Sequence, residues 1–450
     1  MGKARRRSEQ VEVVHPNAAG LDIGSREIYG CLPPDRAGDT IKVFGTFTPD
    51  LQGLADWLVA NQVDTVAMES TGVYWIPAFE LLEARGLKVY LVNARHVKNV
   101  PGRKSDVADC QWLQYLHAVG LLRGSFRPNQ EICALRSLWR HRDSLIQMAS
   151  VHLQHMQKAL DQMNLQIHHV ISDIAGITGL AIIDAILAGE RDPKRLADLR
   201  DWRIRATEET IMKSLVGDYR DEHLFTLRQS LVAYRHYQQL IGEVDEKVKQ
   251  LLSELPAQVD PAEDPIPKAR NPRKTPWRNE PIGLREDLYR AFGVDLTQVP
   301  GIDSLTAQRL LTEIGPDLSA FPNVAAFASW LRLCPDKRVS GGKVLSSRTG
   351  PTKNRAALAL RMAAQSLNRS ETFLGEYFRR MRARLGAPKA ITAAAHKLAR
   401  IIYHLLTSRQ PYDESIFIVQ EIRFRKRKEA RLRAQAHELG FQLVPVQAVP

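Results

Sequence analysis

The chain has 450 residues, of which 44% are hydrophobic and 25% charged, so its composition is that of a folded protein and excludes a disordered one. Its 63 Lys and Arg residues outnumber its 50 Asp and Glu residues, and the resulting net charge of +13 favours a polyanionic partner, nucleic acid before an anionic membrane. Its four scattered cysteines fit neither a zinc site nor a disulfide framework and predict a cytoplasmic protein, and no apolar run is long enough to span a membrane.

Residues 1–17 are predicted to form a loose basic arm, after which short apolar segments predict three antiparallel strands. These strands are expected at residues 20–23, 28–32 and 41–47. They are followed by a helix that begins near Pro49, a strand over 63–69, a helix over 74–85 and a strand over 88–93. This order predicts an α/β domain over residues 18–128, with its functional site at the strand ends.

Four carboxylates in this domain are predicted to form one metal site. Asp22 lies within an apolar strand, where a carboxylate is costly to bury unless a cation meets it. Glu69 ends the next buried strand, and Asp106 and Asp109 share one side of a helix that begins near Ser105. Such a set can hold two Mg²⁺ ions roughly 4 Å apart for phosphoryl transfer. Taken singly, each acid also fits an ordinary strand end or helix N-terminus.

A basic loop precedes that helix and is predicted to bind nucleic acid through Arg95, Lys98, Arg103 and Lys104. The sequence Asp-Ile-Gly-Ser at 22–25 also resembles the first phosphate loop of actin-like ATPases and sugar kinases. Those proteins need a second Asp-x-Gly loop and a glycine-rich adenosine motif, and neither is recognisable downstream. Metal-dependent chemistry on nucleic acid is therefore the favoured interpretation of this domain.

The middle of the chain, residues 129–255, is predicted to be helical. Two long amphipathic helices, over residues 131–168 and 223–255, predict an antiparallel coiled coil or a dimerisation arm. A compact helical insert lies between them at 170–221. The proline-rich segment 256–283 is predicted to be a linker.

Residues 284–415 are predicted to form a mostly helical domain. Its segment 299–318 resembles residues 175–193 of the insert, since each has Gly-Ile, an apolar helix and a Gly and Pro stop. This pattern suggests a helix-hairpin-helix unit that binds phosphate through backbone N–H groups, although a chance match explains it equally well. The tail, residues 416–450, is strongly basic and is expected either to contact phosphate or to be disordered.

A glycine-rich basic loop is the second candidate site. Ser340 precedes two glycines and is surrounded by cations, as a hydroxyl that attacks a phosphate requires. The cations predicted to bind nucleic acid are Lys337, Arg338, Lys343, Arg348, Lys353 and Arg355. Composition alone favours a loop that touches the DNA backbone without chemistry, and Ser346 or Ser347 would serve as well as Ser340.

The order of these motifs resembles that of the IS110-family transposases of insertion sequences. The matching motifs are Leu-Asp22-Ile-Gly, Met-Glu69-Ser-Thr-Gly-Val-Tyr-Trp, Lys-Ser-Asp106-Val-Ala-Asp109, a coiled coil, Val-Pro-Gly301-Ile and Ser340-Gly-Gly-Lys. The resemblance implies an N-terminal RuvC-like domain of the RNase H fold and a C-terminal transposase domain. It also implies that Asp22, Glu69, Asp106 and Asp109 are the catalytic Mg²⁺ ligands and that Ser340 is the nucleophile.

The family resemblance further implies how the protein works. It implies RNA-guided recombination, in which a structured bridge RNA pairs with donor and target DNA. It also implies a homo-oligomer, a dimer or tetramer, in which the acids of one subunit meet the serine of another. Two alternatives stay open: a RuvC-type Holliday-junction nuclease that uses water as nucleophile, and a non-catalytic basic scaffold that binds nucleic acid. The insert at 170–221 and the long linker depart from compact members of the family.

Overall fold

The computed structural model describes residues 12–36, 38–69, 72–92, 106–270, 272, 279–336 and 338–442. The chain divides into two compact units, Met1–Arg127 and Pro128–Pro450. No helix within the described ranges is long and apolar enough to cross a membrane.

The first unit is built on a five-stranded sheet. Its strands are β1 (Ala18–Ile23), β2 (Glu27–Cys31), β3 (Ile41–Gly45), β4 (Thr65–Glu69) and β5 (Lys88–Val92). They lie in the order β3-β2-β1-β4-β5, with β1, β2 and β3 antiparallel and β1, β4 and β5 parallel. The predicted antiparallel meander and the alternation of helix and strand that follows it are confirmed.

Helices cover both faces of this sheet. They are α1 (Thr48–Ala60), α2 (Trp75–Ala84) and α3 (Asp106–Ala118). Leu21 and Met68 point to one face, where they join a core with residues of α1 and α2. Ala67 and Val92 point to the opposite face and pack against Leu113 of α3. Alternation along each strand therefore determines which side chains face α3.

Helix α3 lies unusually close to β1, and Gly20 makes this approach possible. A Cβ atom at Gly20 would clash with the backbone oxygen of Cys110 and the backbone nitrogen of Gln114. The Gln114 Nε2 also donates a hydrogen bond of 3.1 Å to the carbonyl of Ala18. Since Gln114 lies beside the start of β1, the N-terminal turn of α3 extends toward the end of β1.

The second unit begins with a pair of long helices and the insert that joins them. The helices are α4 (Gln130–Gln162), α5 (Ile177–Leu187), α6 (Pro193–Asp198), α7 (Glu208–Ser214) and α8 (Asp221–Glu254). Asp218 N–H donates to the Met163 carbonyl at 2.8 Å, so α4 ends where α8 approaches, and the long helices are antiparallel as predicted. The insert helices bury Ile183 and Ile211 in the same core as Met156 of α4.

The remaining elements are helices and one small hairpin. They are α9 (Leu284–Phe292), α10 (Ser304–Ile314), α11 (Val324–Trp330), β6 (Arg338–Ser340), β7 (Lys343–Ser346), α12 (Arg355–Ser366), α13 (Phe373–Leu385), α14 (Ala387–Ser408) and α15 (Ile418–Glu438). The predicted fold class, an α/β region followed by a mostly helical one, is confirmed. The disordered alternative for the tail is wrong for Ile418–Glu438, which are helical.

Arginines of α4 connect the pair of long helices, α4 and α8, to the C-terminal helices. Arg142, only 2% exposed, pairs with Asp245 of α8, and its Nη2 lies 3.0 Å from Asp245 Oδ2. Arg140 Nη2 lies 2.9 Å from both carboxylate oxygens of Glu313 at the end of α10. Arg136 donates to the carbonyls of Thr312 and Glu313, each at 2.9 Å. The Arg136 hydrogen bonds satisfy two C-terminal carbonyls of α10, a helix end at which carbonyls have no partner within the helix.

Described parts of the proline-rich segment pack against the C-terminal helices. Tyr289 of α9 donates its hydroxyl to Asp264 at 2.8 Å, and Arg270 Nη2 lies 3.1 Å from Glu414 Oε2. Its residues up to 270 are thus held by side-chain contacts although they form no regular element.

The two Gly-Ile segments that resemble each other in sequence differ in backbone conformation. Gly301 is left-handed, with φ of +88°, whereas Gly176 has φ of −77°. A Cβ at Gly301 would lie 2.7 Å from the Ala363 carbonyl of α12, so close packing accounts for this glycine. The sequence resemblance therefore does not correspond to a structural repeat.

We predict that Gly20→Ala destabilises the first unit by about 3 kcal/mol, because the added methyl group forces α3 away from β1. Thermal unfolding followed by circular dichroism measures the effect. Gly53→Ala is the matched control: Gly53 lies within α1 with no atom near its absent Cβ, so it should gain about 0.5–1 kcal/mol of helix stability. Equal effects of the two substitutions would contradict the proposed packing.

Candidate active site

The four predicted acids lie at one edge of the sheet in the first unit. Asp22 follows Gly20 by two residues in β1 and therefore points to the same face, toward α3. Glu69 ends β4 and follows Ala67, which packs against α3, by two residues. Since the first turn of α3 extends toward the end of β1, it brings Asp106 and Asp109 to the same edge. Two strands and one helix thus contribute one acidic cluster.

The electrostatics of Asp22 reveal how close these acids are. Burial, followed by the negative charges of Asp106, Asp109 and Glu69, raises the pKa of Asp22 from 3.8 to about 6. Desolvation and like charges both disfavour an ionised carboxylate, and here they act together. Asp106, Asp109 and Glu69 are therefore close enough to Asp22 for their negative charges to act on it.

Tyr29 is a neighbour of this cluster that the sequence analysis did not identify. It lies directly opposite Asp22 in β2 and shares its face of the sheet. Its pKa is raised by its hydroxyl's hydrogen bond to Glu27 and, to a smaller extent, by Asp106 and Asp22. The spacing of Asp22 and Tyr29 about the turn at Ser25 and Arg26 was the available signal, since a hairpin pairs residues equally distant from its turn.

The donor set of the cluster is suited to a hard divalent cation. Carboxylate oxygens are the protein ligands that Mg²⁺ prefers, and a cation would relieve the repulsion that raises the Asp22 pKa. As the side chains stand, however, no three Asp, Glu, His or Cys residues within the described part of the chain form a ready metal site. The cluster therefore provides ligands of the appropriate chemistry without a closed coordination shell.

Several predicted nucleic-acid-binding residues lie outside the described residues. These are Arg95, Lys98, Arg103 and Lys104 of the basic loop before α3, Lys337, and the side chain of Arg338.

Ser340 lies at the tip of the β6–β7 hairpin in the second unit. It pairs with Lys343 across a two-residue turn, Gly341-Gly342, whose φ angles are +54° and +75°. Left-handed conformations at both central positions are typical of the tight turns that fit twisted hairpins and favour glycine there. Ser340 and both glycines are exposed. The tip therefore holds its serine hydroxyl in solvent on a short, sterically open turn.

The cationic side chains around Ser340 differ in exposure and in ion pairing. Lys343, Arg348 and Lys353 are exposed. Arg355, at the start of α12, instead lies 3.3 Å from Asp143 of α4. Arg309 of α10 lies 3.4 Å from the same carboxylate, so two guanidinium groups share Asp143. Neither Asp143 nor Arg309 has a sequence signal that sets it apart from other surface charges of amphipathic helices.

Comparisons with known proteins identify two matching family models. Residues 19–165 match the DEDD transposase domain of IS110 type, and residues 295–378 match the model described as transposase IS116/IS110/IS902 family. The first match contains Asp22, Glu69, Asp106 and Asp109, and the second contains Ser340. No curated protein matches the chain.

We predict that Asp22→Asn stabilises the metal-free protein at pH 8 and has little effect at pH 4. Because the folded-state pKa of about 6 exceeds the unfolded value, the protonated carboxyl favours folding below pH 4, and this contribution is lost as the pH rises through 6. Asparagine does not titrate, so the two proteins diverge across this interval, by about 1 kcal/mol after allowance for the half-exposed side chain.

Urea unfolding in EDTA at several pH values measures this difference. Asp39→Asn, the same substitution at an exposed position of the first unit, is the control. A stabilisation by Asp22→Asn that did not depend on pH would contradict the assignment of the repulsion to Asp22.

Proposed function

Because this chain belongs to the IS110-family transposases, a group of DNA-recombining enzymes, we propose that it cuts and rejoins DNA through a composite site made of its acidic cluster and Ser340. The observation that carries the proposal is the gathering of four acids at the end of β1 and β4, where burial and the charges of Asp106, Asp109 and Glu69 raise the pKa of Asp22 to about 6. A site with this potential is suited to divalent cations and, through them, to a phosphate group.

In this proposal Asp22, Glu69, Asp106 and Asp109 hold Mg²⁺. When bound, Mg²⁺ would neutralise the charge that develops on the scissile phosphate and favour loss of a proton from the attacking hydroxyl. The chain's own contribution is positional: β1, β4 and α3 fix the carboxylates at one edge, so that the DNA backbone is held in a single orientation.

Ser340 would supply the nucleophile. Its hydroxyl loses its proton as Oγ forms a bond to phosphorus, the phosphodiester bond to the leaving strand breaks, and the proton ends on the leaving hydroxyl. The exposed Gly341-Gly342 turn supports this role, because it allows a phosphate to approach the serine closely. Lys343 and Arg348 carry positive charge near the same hairpin and would hold the DNA backbone.

The family membership also supports finer proposals about partners. We propose that a structured bridge RNA pairs with donor and target DNA and so selects the sequence, while the excess of Lys and Arg contacts the backbones. We further propose that the protein acts as a dimer or tetramer in which the acids of one subunit meet Ser340 of another. The location of the acids and of Ser340 in different compact units is compatible with such sharing.

We predict that Ser340→Ala abolishes a covalent protein–DNA adduct. The purified protein is incubated with its co-purifying RNA, Mg²⁺ and end-labelled cognate DNA, and adducts that survive denaturation are counted on a gel. The controls Ser346→Ala and Ser347→Ala keep the hairpin and should retain the adduct. An adduct that persists in Ser340→Ala would refute the nucleophile assignment.

The same assay separates the alternatives. We predict that Asp22→Ala lowers adduct formation at least about 100-fold, because one of four proposed ligands to the cations is lost. Cleavage without any adduct would instead identify a junction nuclease that uses water. Binding of DNA with neither cleavage nor adduct would identify a non-catalytic scaffold, and full activity of Asp22→Ala would exclude the acidic site.

A further inference from the structure

The consecutive helices α13 and α14 carry a strong excess of positive charge. From Phe373 to Ser408 the chain has seven Lys and Arg residues and a single acid, Glu376. The seven cations are Arg379, Arg380, Arg382, Arg384, Lys389, Lys397 and Arg400. One carboxylate cannot neutralise seven cations, so the two helices together have a large net positive charge. All seven cations lie beyond residue 378, where the second family match ends.

Cations from both helices converge on one aromatic pair. Helices α13 and α14 pack against each other on either side of Gly386. Arg380 of α13 and Lys397 of α14 lie 5.9 Å and 5.8 Å from the centroid of the Phe373 ring. Lys397 also lies 4.7 Å from the centroid of Phe417, whose ring stacks on that of Phe373 at 4.6 Å. The two helices therefore present their positive charges at one place on the second unit.

The charges in this patch are close enough to act on common neighbours. Burial raises the pKa of Tyr377 in α13, and the positive charges of Arg384, Arg380 and Arg400 oppose that shift. Burial, followed by the charge of Arg400, lowers the pKa of Lys397. Both effects agree with the ring contacts in placing the cations of α13 beside those of α14. Bound anions would reduce the mutual repulsion of such cations.

Two further arginines of α13 are held by uncharged acceptors. Arg379 Nη1 donates to the Ser370 carbonyl at 2.6 Å, and Arg382 Nη1 donates to Asn368 Oδ1 at 2.9 Å. These hydrogen bonds fix the guanidinium groups in position and leave their charge in place. The patch therefore keeps positive charge on side chains that have already lost conformational freedom, which lowers the entropic cost of binding.

The patch suits the phosphates of a DNA duplex better than the bases of a single strand. Phe373 and Phe417 stack on each other and lie against Lys397, so the rings serve the cations rather than a nucleobase. The outward cations Arg384 and Arg400 are exposed. Helix α14 has 22 residues and is about 33 Å long, close to one turn of a DNA duplex, which carries one negative charge per about 1.7 Å.

We propose that α13 and α14 form a docking surface for the phosphate backbone of duplex DNA, with Arg384 and Arg400 as exposed contacts. The inference rests on the proposed function in that the docked duplex is part of the DNA that the acids and Ser340 act on. It goes further in assigning a sequence-independent contact to helices outside both candidate sites. Its role is to hold the duplex in register while a strand is cut and rejoined.

The test uses the full-length protein in EDTA, washed at high salt to remove co-purifying nucleic acid, and a fluorescein-labelled DNA duplex of about 30 base pairs. The double variant Arg384→Gln with Arg400→Gln should raise Kd about 10- to 100-fold near 0.1 M salt, because two phosphate contacts are lost. The slope of log Kd against log salt concentration should fall by about 2 for the same reason. Fluorescence anisotropy at several salt concentrations measures both quantities.

Two matched double variants accompany this measurement. Arg205→Gln with Arg228→Gln removes the same charge from exposed positions elsewhere in the second unit and should bind nearly as the wild type does. Arg384→Lys with Arg400→Lys keeps the charge and should retain the wild-type salt slope. Circular dichroism melting curves should be alike for all three, since the substituted side chains are exposed.

Three outcomes would overturn the proposal. Wild-type affinity and salt slope of Arg384→Gln with Arg400→Gln would exclude the contact. Equal losses in the two glutamine double variants would show that only the net charge of the chain matters. A loss of affinity for a double-stranded RNA of the same length, with unchanged affinity for DNA, would refute the assignment to DNA.

This measurement is separable from the test of the proposed function. It needs neither metal nor cleavage, so the absence of a Ser340–DNA adduct leaves it intact. Conversely, normal adduct formation together with unchanged Kd in Arg384→Gln with Arg400→Gln would refute the docking surface and leave the composite active site standing.

Discussion

The close contact between α3 and Gly20 of β1 is the constraint on which the acidic cluster depends. Only a residue without a Cβ allows the helix backbone at Cys110 and Gln114 to approach the strand. Because Gly20 and Asp22 share one face, the same approach directs the first turn of α3 toward Asp22. A helix held one side-chain layer farther away would remove Asp106 and Asp109 from Asp22, and with them two of the charges that raise its pKa.

Repulsion within the cluster has two opposite consequences. In the absence of a cation it opposes folding above pH 6, since the ionised Asp22 lies among Glu69, Asp106 and Asp109. A divalent cation would relieve the same repulsion, so the free energy that this repulsion costs the fold would be regained on cation binding. Functional sites commonly retain such strain, and the rest of the unit, with its cores on both faces of the sheet, supplies the compensating stability.

The second unit holds its candidate residue in a different way. Its helices are joined by ion pairs as well as by apolar packing. Arg142 is buried against Asp245, and Arg140 pairs with Glu313. Breaking a buried pair by removing one partner is costly, so these contacts fix α4 against α8 and α10. Asp143 extends this framework to Arg355, at the start of the helix that follows the serine hairpin. The hairpin itself consists of β6, β7 and the turn that joins them, and Ser340 is exposed at its tip. The helix that follows the hairpin is held at its start by the contact of Arg355 with Asp143.

Local sequence determined much of this protein. Short apolar segments predicted β1 to β5 in their succession along the chain, amphipathic periodicity predicted α4 and α8, and adjacent glycines predicted a turn after Ser340. These predictions succeeded because strand, helix and turn preferences depend on neighbouring residues. Four acids were identified together because strand ends and a helix N-terminus meet at one sheet edge. Tertiary structure alone decided the rest: the packing of α3 on Gly20, the shared core of the insert with α4 and α8, and the pairing of Arg355 with Asp143. Each of these joins residues far apart in the chain or depends on what covers a side chain, and no local pattern encodes either.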